Sequence, residues 1–110
     1  MKKRFEAILN LMNPHGSITG RAMFGGYGFY HDKIIFAILV GKKLYFRIGV
    51  NNEKDYEPYE SEPFVYDGKN RPIVMPYLTL PKKILHNPKL LPQWIEKARD
   101  ASLQSRTKRK

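Results

Sequence analysis

Between Phe29 and Val50, three apolar segments are divided by breaks of only two or three residues, and this spacing limits what the chain can fold into. Ile34 to Val40 reads Ile-Ile-Phe-Ala-Ile-Leu-Val, rich in β-branched side chains and too short for an ordinary helix, so it reads as a strand. Phe29 to His31 precedes it across a tight hairpin tip, Asp32-Lys33. Leu44 to Val50 follows it across Gly41-Lys42-Lys43, with Leu44, Phe46 and Ile48 on one face and Tyr45 and Arg47 on the other. A parallel pairing needs a crossover of about a dozen residues or more. The three segments must therefore run antiparallel, as a meander.

Upstream, Ile18 to Phe24 reads as a further strand and runs into Gly25-Gly26-Tyr27-Gly28. Three glycines in four residues mark a tight turn or bulge, where a side chain would not fit. A phosphate-cradling loop would need a different spacing and a helix N-terminus after it, and here a strand follows. Phe5, Ile8, Leu9 and Met12 form one stripe of an N-terminal helix, which Asn13-Pro14-His15-Gly16 ends.

Downstream, Asn51 or Asn52 caps a short helical turn through Asp55-Tyr56, and Phe64 to Tyr66 is a strand closed by the Asp67-Gly68 turn. Ile73 to Met75 lies between Pro72 and Pro76, which predicts a short or edge strand. Asn87-Pro88 is a helix start signal, and Leu91, Trp94, Ile95 and Ala98 form a stripe expected to pack on the sheet, with regular helix from nearer Pro92. The periodicity fades at Ser102. The residues thus predict an α+β domain over 1–101, an antiparallel sheet with a helix at each end, and an unstructured basic tail over 102–110.

With 110 residues the chain is one domain, and 42% apolar content is enough for a core. It has no cysteine, which excludes disulfides and thiolate chemistry and fits a reducing cytoplasm. No apolar run approaches the roughly 18 residues of a membrane span. His15, His31 and His86 make no metal-ligand spacing, and no serine sits in a nucleophile elbow. No catalytic residue, cofactor or metal is expected. The seven tyrosines read as half-buried strand residues. Five carboxylates between Glu53 and Glu62 read as a solvated acidic face, with a basic partner as the rival reading.

The net charge of +10 is placed unevenly: +2 in residues 1–6, +5 in 97–110 and +3 in the body between. Arg106, Lys108, Arg109 and Lys110 are therefore the candidate nucleic-acid contacts, weak and indifferent to sequence.

Two runs carry a resemblance. Met23-Phe24-Gly25-Gly26-Tyr27-Gly28, and Met75-Pro76-Tyr77 at this separation from it, resemble the TfoX (Sxy) N-terminal domain family, with the likeness running from about Met12 to Arg99. It implies a two-layer domain, with an antiparallel sheet packed by helices, in a bacterial cytoplasmic protein. Full-length members regulate DNA-uptake competence as coactivators working with the cyclic-AMP receptor protein. The implied partner is thus another protein, within the transcription machinery. No catalytic residue belongs to the domain. The chain departs from the family in a short Val50–Phe64 segment and in lacking the separate C-terminal domain, so a stand-alone member is expected. The alternative is a nonspecific nucleic-acid-binding protein using its basic termini.

Overall fold

The structure, a computed structural model, describes residues 2–23 and 25–107, with 106 and 107 as backbone alone. The chain runs α1 (Lys2–Met12), β1 (Ile18–Met23), β2 (Gly26–His31), β3 (Ile34–Val40), β4 (Lys43–Arg47), β5 (Pro63–Asp67), β6 (Pro72–Thr79), α2 (Lys82–Leu85) and α3 (Leu91–Thr107). Single 3₁₀ turns lie at Asn13–His15 and Glu53–Tyr56. All six strands form one antiparallel sheet in the order β1-β2-β3-β4-β6-β5. The expected α+β meander with its terminal helices is what forms.

Register explains how the sheet acquires two unlike faces. Phe29 pairs with Ala37 and Tyr30 with Ile35, so Phe36 is an extra residue at a β-bulge. Strict alternation would send Phe36 and Ala37 to opposite faces, yet both are fully buried in one cluster with Phe29, Leu39, Leu44 and Phe46. Phe36 meets Phe46 edge-on, centroids 5.4 Å apart. The helices cover this face. α3 lies across β3 and β4 and buries Leu91, Ile95 and Ala98, while α1 buries Ile8 and Met12. Each such Leu, Ile or Met contributes about 1.5–3 kcal/mol of transfer free energy.

The α1 stripe folds as its spacing predicts, and one contact shows how closely it sits. Phe5 stacks on Tyr27, centroids 4.1 Å apart, directly over Gly20, where a Cβ would stand 2.5 Å from the ring.

The glycine run divides between two jobs. Gly25 sits at the β1–β2 tip with φ of +75°, in the left-handed region that glycine favours. Gly26 and Gly28 instead belong to β2, so the strand starts three residues earlier than Phe29. A Cβ on Gly26 would collide with the carbonyl oxygen of Leu39 on β3. Gly26→Val is therefore expected to cost about 1–3 kcal/mol, through overpacking between strands rather than turn strain. An unchanged urea midpoint would count against this. The Asp32-Lys33 tip is as expected, with both residues at positive φ, 50° and 69°.

Four other expectations are corrected. β6 is neither short nor at an edge: it has eight residues, lies between β4 and β5, and continues through Pro76. Pro76 sits where β4 runs out after Arg47 and the β5 register slips between Pro63 and Val65, a place that tolerates a missing N–H. α3 runs to Thr107 rather than fading at 102, because Ala101 and Ser102 are still buried against the domain. The tail boundary at 102 therefore moves. Trp94 packs at the margin of the core rather than in its interior. It is half-buried, edge-on to Tyr56 at 4.7 Å and Tyr59 at 6.1 Å, and pins the loop before β5. Asn52, at the cap position, turns its side chain away from the 3₁₀ turn: its Oδ1 accepts from Gly49 N and its Nδ2 donates to the Arg47 carbonyl. Asn87 does cap, accepting from Lys89 N and Leu90 N ahead of α3. α2 had no sequence signal.

Tyr56 is 2% exposed, and its hydroxyl has no hydrogen-bond partner among the described residues. Burial, with nearby Asp55, pushes its phenol far above the ordinary value. The folded state therefore holds this proton after the unfolded chain has lost it. Stability should fall as pH rises beyond about 10, by up to about 1.4 kcal/mol per pH unit from this group. Tyr56→Phe is expected to flatten that alkaline slope in pH-dependent melts, leaving the smaller share from Tyr77, which burial also raises.

Candidate functional site: an apolar groove on the open sheet face

The sheet face opposite the helices is covered by no element among the described residues. It carries a second, smaller apolar cluster: Ile38, Tyr45 and Tyr77, with Ile35, Val40, Phe64 and Met75 packed around them. Antiparallel register explains this grouping. Ile38 pairs with Tyr45 and Arg47 with Tyr77, so these four side chains share the face that Phe46 and Leu78 do not occupy. The β5–β6 hairpin forms one wall and Met23 of β1 lies at the opposite side, enclosing a groove of about 550 Å³.

Both sequence runs singled out above arrive here. Met23, Met75 and Tyr77 line the groove, and Tyr27 only borders it, since its ring stacks on Phe5 on the helix-covered face. Gly28 leaves room for Met23, whose Sδ would lie 2.7 Å from a Cβ at that position. The Tyr30 hydroxyl reaches the same sulfur at 4.0 Å. Gly25 and Gly26 serve the strand geometry and Pro76 the end of the β4 ladder, so they act only through the backbone. Phe24, Lys108, Arg109, Lys110 and the side chain of Arg106 lie outside the described residues.

Two arginines flank the groove, each over a tyrosine ring: Arg21 over Tyr30 at 5.5 Å and Arg47 over Tyr77 at 5.7 Å. Burial raises the Tyr77 phenol, with the Arg47 charge pulling it the other way. The Nε of Arg47 is buried and has no hydrogen-bond partner among the described residues. Lys69 and Arg71 are exposed at the tip joining β5 to β6. Asp67 is the one carboxylate in the lining.

Elsewhere the titratable groups are tied up or scattered. Lys97 Nζ binds Asp55 at 2.9 Å, fastening the acidic segment to α3, and Lys43 Nζ binds Glu62 at 2.7 Å. The Lys43 hydrogen bond and charge hold the Glu62 carboxyl below its usual range, although both groups are solvated and the pair adds little. Two of the five carboxylates between Glu53 and Glu62 are thus paired within the domain. His31 lies 3.9 Å from Asp32, and no group of three His, Cys, Asp or Glu side chains converges among the described residues.

Sequence reasoning missed Ile35, Ile38, Tyr45, Phe64 and Arg47 as one site. Alternation within β4 had already put Tyr45 and Arg47 together, and that was the available signal.

Fold and groove define a small α+β domain with one sheet face sealed by helices and the other open, apolar and rimmed by cations. The model of the TfoX N-terminal domain matches residues 10–102, and the chain belongs to that family. Among curated proteins, none matches it.

Proposed function

We propose that this domain is a noncatalytic regulator that binds another protein through the groove on its open sheet face. The observation that carries this reading is the groove itself: a concavity of about 550 Å³ lined almost wholly by apolar and aromatic side chains, with no histidine and a single carboxylate in the lining. Four of the large apolar side chains that stay most exposed, Val65, Tyr66, Ile73 and Val74, lie on the hairpin that walls the groove, and of these the Tyr66–Ile73 pair shares the face of Met75 and Tyr77. Family membership extends the reading to transcriptional control of DNA-uptake competence in the cytoplasm. No helix among the described residues is long and apolar enough to cross a membrane.

The test is a competence-promoter reporter in a strain deleted for the chain. Restoring the wild-type chain should restore reporter output, and Ile38→Asp, folded by circular dichroism, should not. A reporter indifferent to the deletion removes the competence role. Full rescue by Ile38→Asp removes the groove.

Binding of nucleic acid by the basic ends is the second reading, favoured by the exposed Lys2, Lys3 and Arg4 of α1 and by the charge at the other terminus. Deleting residues 106–110 removes four positive charges. If each meets a phosphate, the logarithmic salt slope on duplex DNA should fall by about four, from dissociation constants of about 10⁻⁴–10⁻⁶ M. Tight, sequence-selective binding that survives the deletion would place the contact on the folded body instead.

A further inference from the structure

The groove's rim has a consistent sign. Arg21, Arg47, Lys69 and Arg71 surround or flank it, and none forms an ion pair among the described residues, while the cations elsewhere that face carboxylates, Lys43, Lys97 and Arg99, do. Arg47 is the most telling. Its guanidinium lies against Tyr77 in the groove floor, and its Nε–H is buried without an acceptor. A buried donor left unpaired is costly, and a carboxylate is the acceptor whose geometry matches a guanidinium fork. Asp67 is the lining's own acid, and it is not paired with Arg47.

Resting on the protein-contact reading above, we propose that the groove's occupant is a short segment of a partner protein that combines large apolar side chains with carboxylates. The apolar side chains seat against Ile38, Phe64 and Met75, and a carboxylate engages Arg47, with Arg21 and the Lys69–Arg71 tip attracting the remaining negative charge. The apolar floor supplies contact area. The cations supply selection against basic and neutral segments and speed the encounter at low salt. A nucleic-acid strand fits this floor less well, because Tyr45 and Tyr77 are only 8% and 6% exposed and cannot offer their faces to bases.

The experiment is a selection from a random dodecapeptide display library on the immobilised full chain, followed by titration of the enriched peptides in solution. The expected result is enrichment of peptides that are both acidic and apolar. They should compete with one another, weaken at least tenfold between 50 and 500 mM salt, and weaken at least tenfold on Ile38→Asp and on Arg47→Met, with circular dichroism showing both variants folded. Arg47→Glu should shift the selection toward basic residues. Groove-dependent peptides that are neutral or basic would overturn the acidic partner while leaving protein contact through this face standing. Peptides indifferent to Ile38→Asp, or no enrichment, would overturn both. Sedimentation showing a dimer that Ile38→Asp dissociates would assign the groove to a second copy and overturn the proposal as well.

Discussion

Phe36→Ala is expected to lower the stability of this domain by about 3–5 kcal/mol, whereas Phe64→Ala should cost about 1–2 kcal/mol. Both residues are strand phenylalanines, and composition alone would rank them together. Phe36 is fully buried against Phe46 beneath the helix layer, so truncating it leaves a cavity that a closely packed core cannot refill. Phe64 is half-buried at the groove, with one side against Tyr45 at 5.2 Å and the other open. A domain of this size has a total stability of about 5–15 kcal/mol, so the first change consumes about a fifth or more of it. Urea unfolding of both variants, with the slope checked for constancy, measures the contrast. Equal losses would mean that the open face is packed as tightly as the covered one, and the groove would lose its standing.

Trp94→Ala is expected to cost about 2–4 kcal/mol, below the range for a fully buried tryptophan because the indole is partly exposed. The loss falls on the loop before β5. Without the indole, Tyr56 and Tyr59 lose their edge-on contacts, and the loop's polar ties to α3 rest on Lys97: its ion pair with Asp55 and its carbonyl, which accepts from Asn51 Nδ2. Trp94→Phe should recover much of the loss. Trp94 is the only tryptophan, so its emission reports this contact directly. A fully solvated spectrum, freely quenched by iodide, would refute the packing.

Much of the fold was legible in the sequence because it is local. Ile34–Val40 and its short flanking breaks permit little besides a meander, and the helical stripes of α1 and α3 name their buried residues. What failed was information that only tertiary contact supplies. A missing Cβ looks the same at a turn as beneath a neighbouring strand, so Gly26 and Gly28 read as a turn until Leu39 and Met23 are seen beside them. A stripe tells which way Trp94 faces but not what it meets there. Ser102 looked like the start of a tail because its polarity breaks the pattern, although it is small enough to be buried. The groove was the least legible part. Its lining comes from β1, β2, β3, β5 and β6, and the bulge that turns Phe36 into the core while Ile35 and Ile38 stay on the open face has no signature in Ile-Ile-Phe-Ala.

The β5–β6 hairpin pairs with the rest of the sheet only at its base, through Tyr77, Leu78 and Thr79, with a backbone hydrogen bond on either side, Ile48 N to the Pro76 carbonyl and Leu80 N to the Leu44 carbonyl. Beyond those rungs it is a two-stranded ribbon, and such ribbons are marginal on their own in water. One wall of the groove is therefore anchored at its base and by Phe64 and Met75 against the floor, while its outer part, toward the Gly68 turn, has no third strand beside it among the described residues. Bending of that outer ribbon changes the width of the groove without disturbing the core behind it, and the proposed partner segment would draw on that freedom to seat side chains of different bulk.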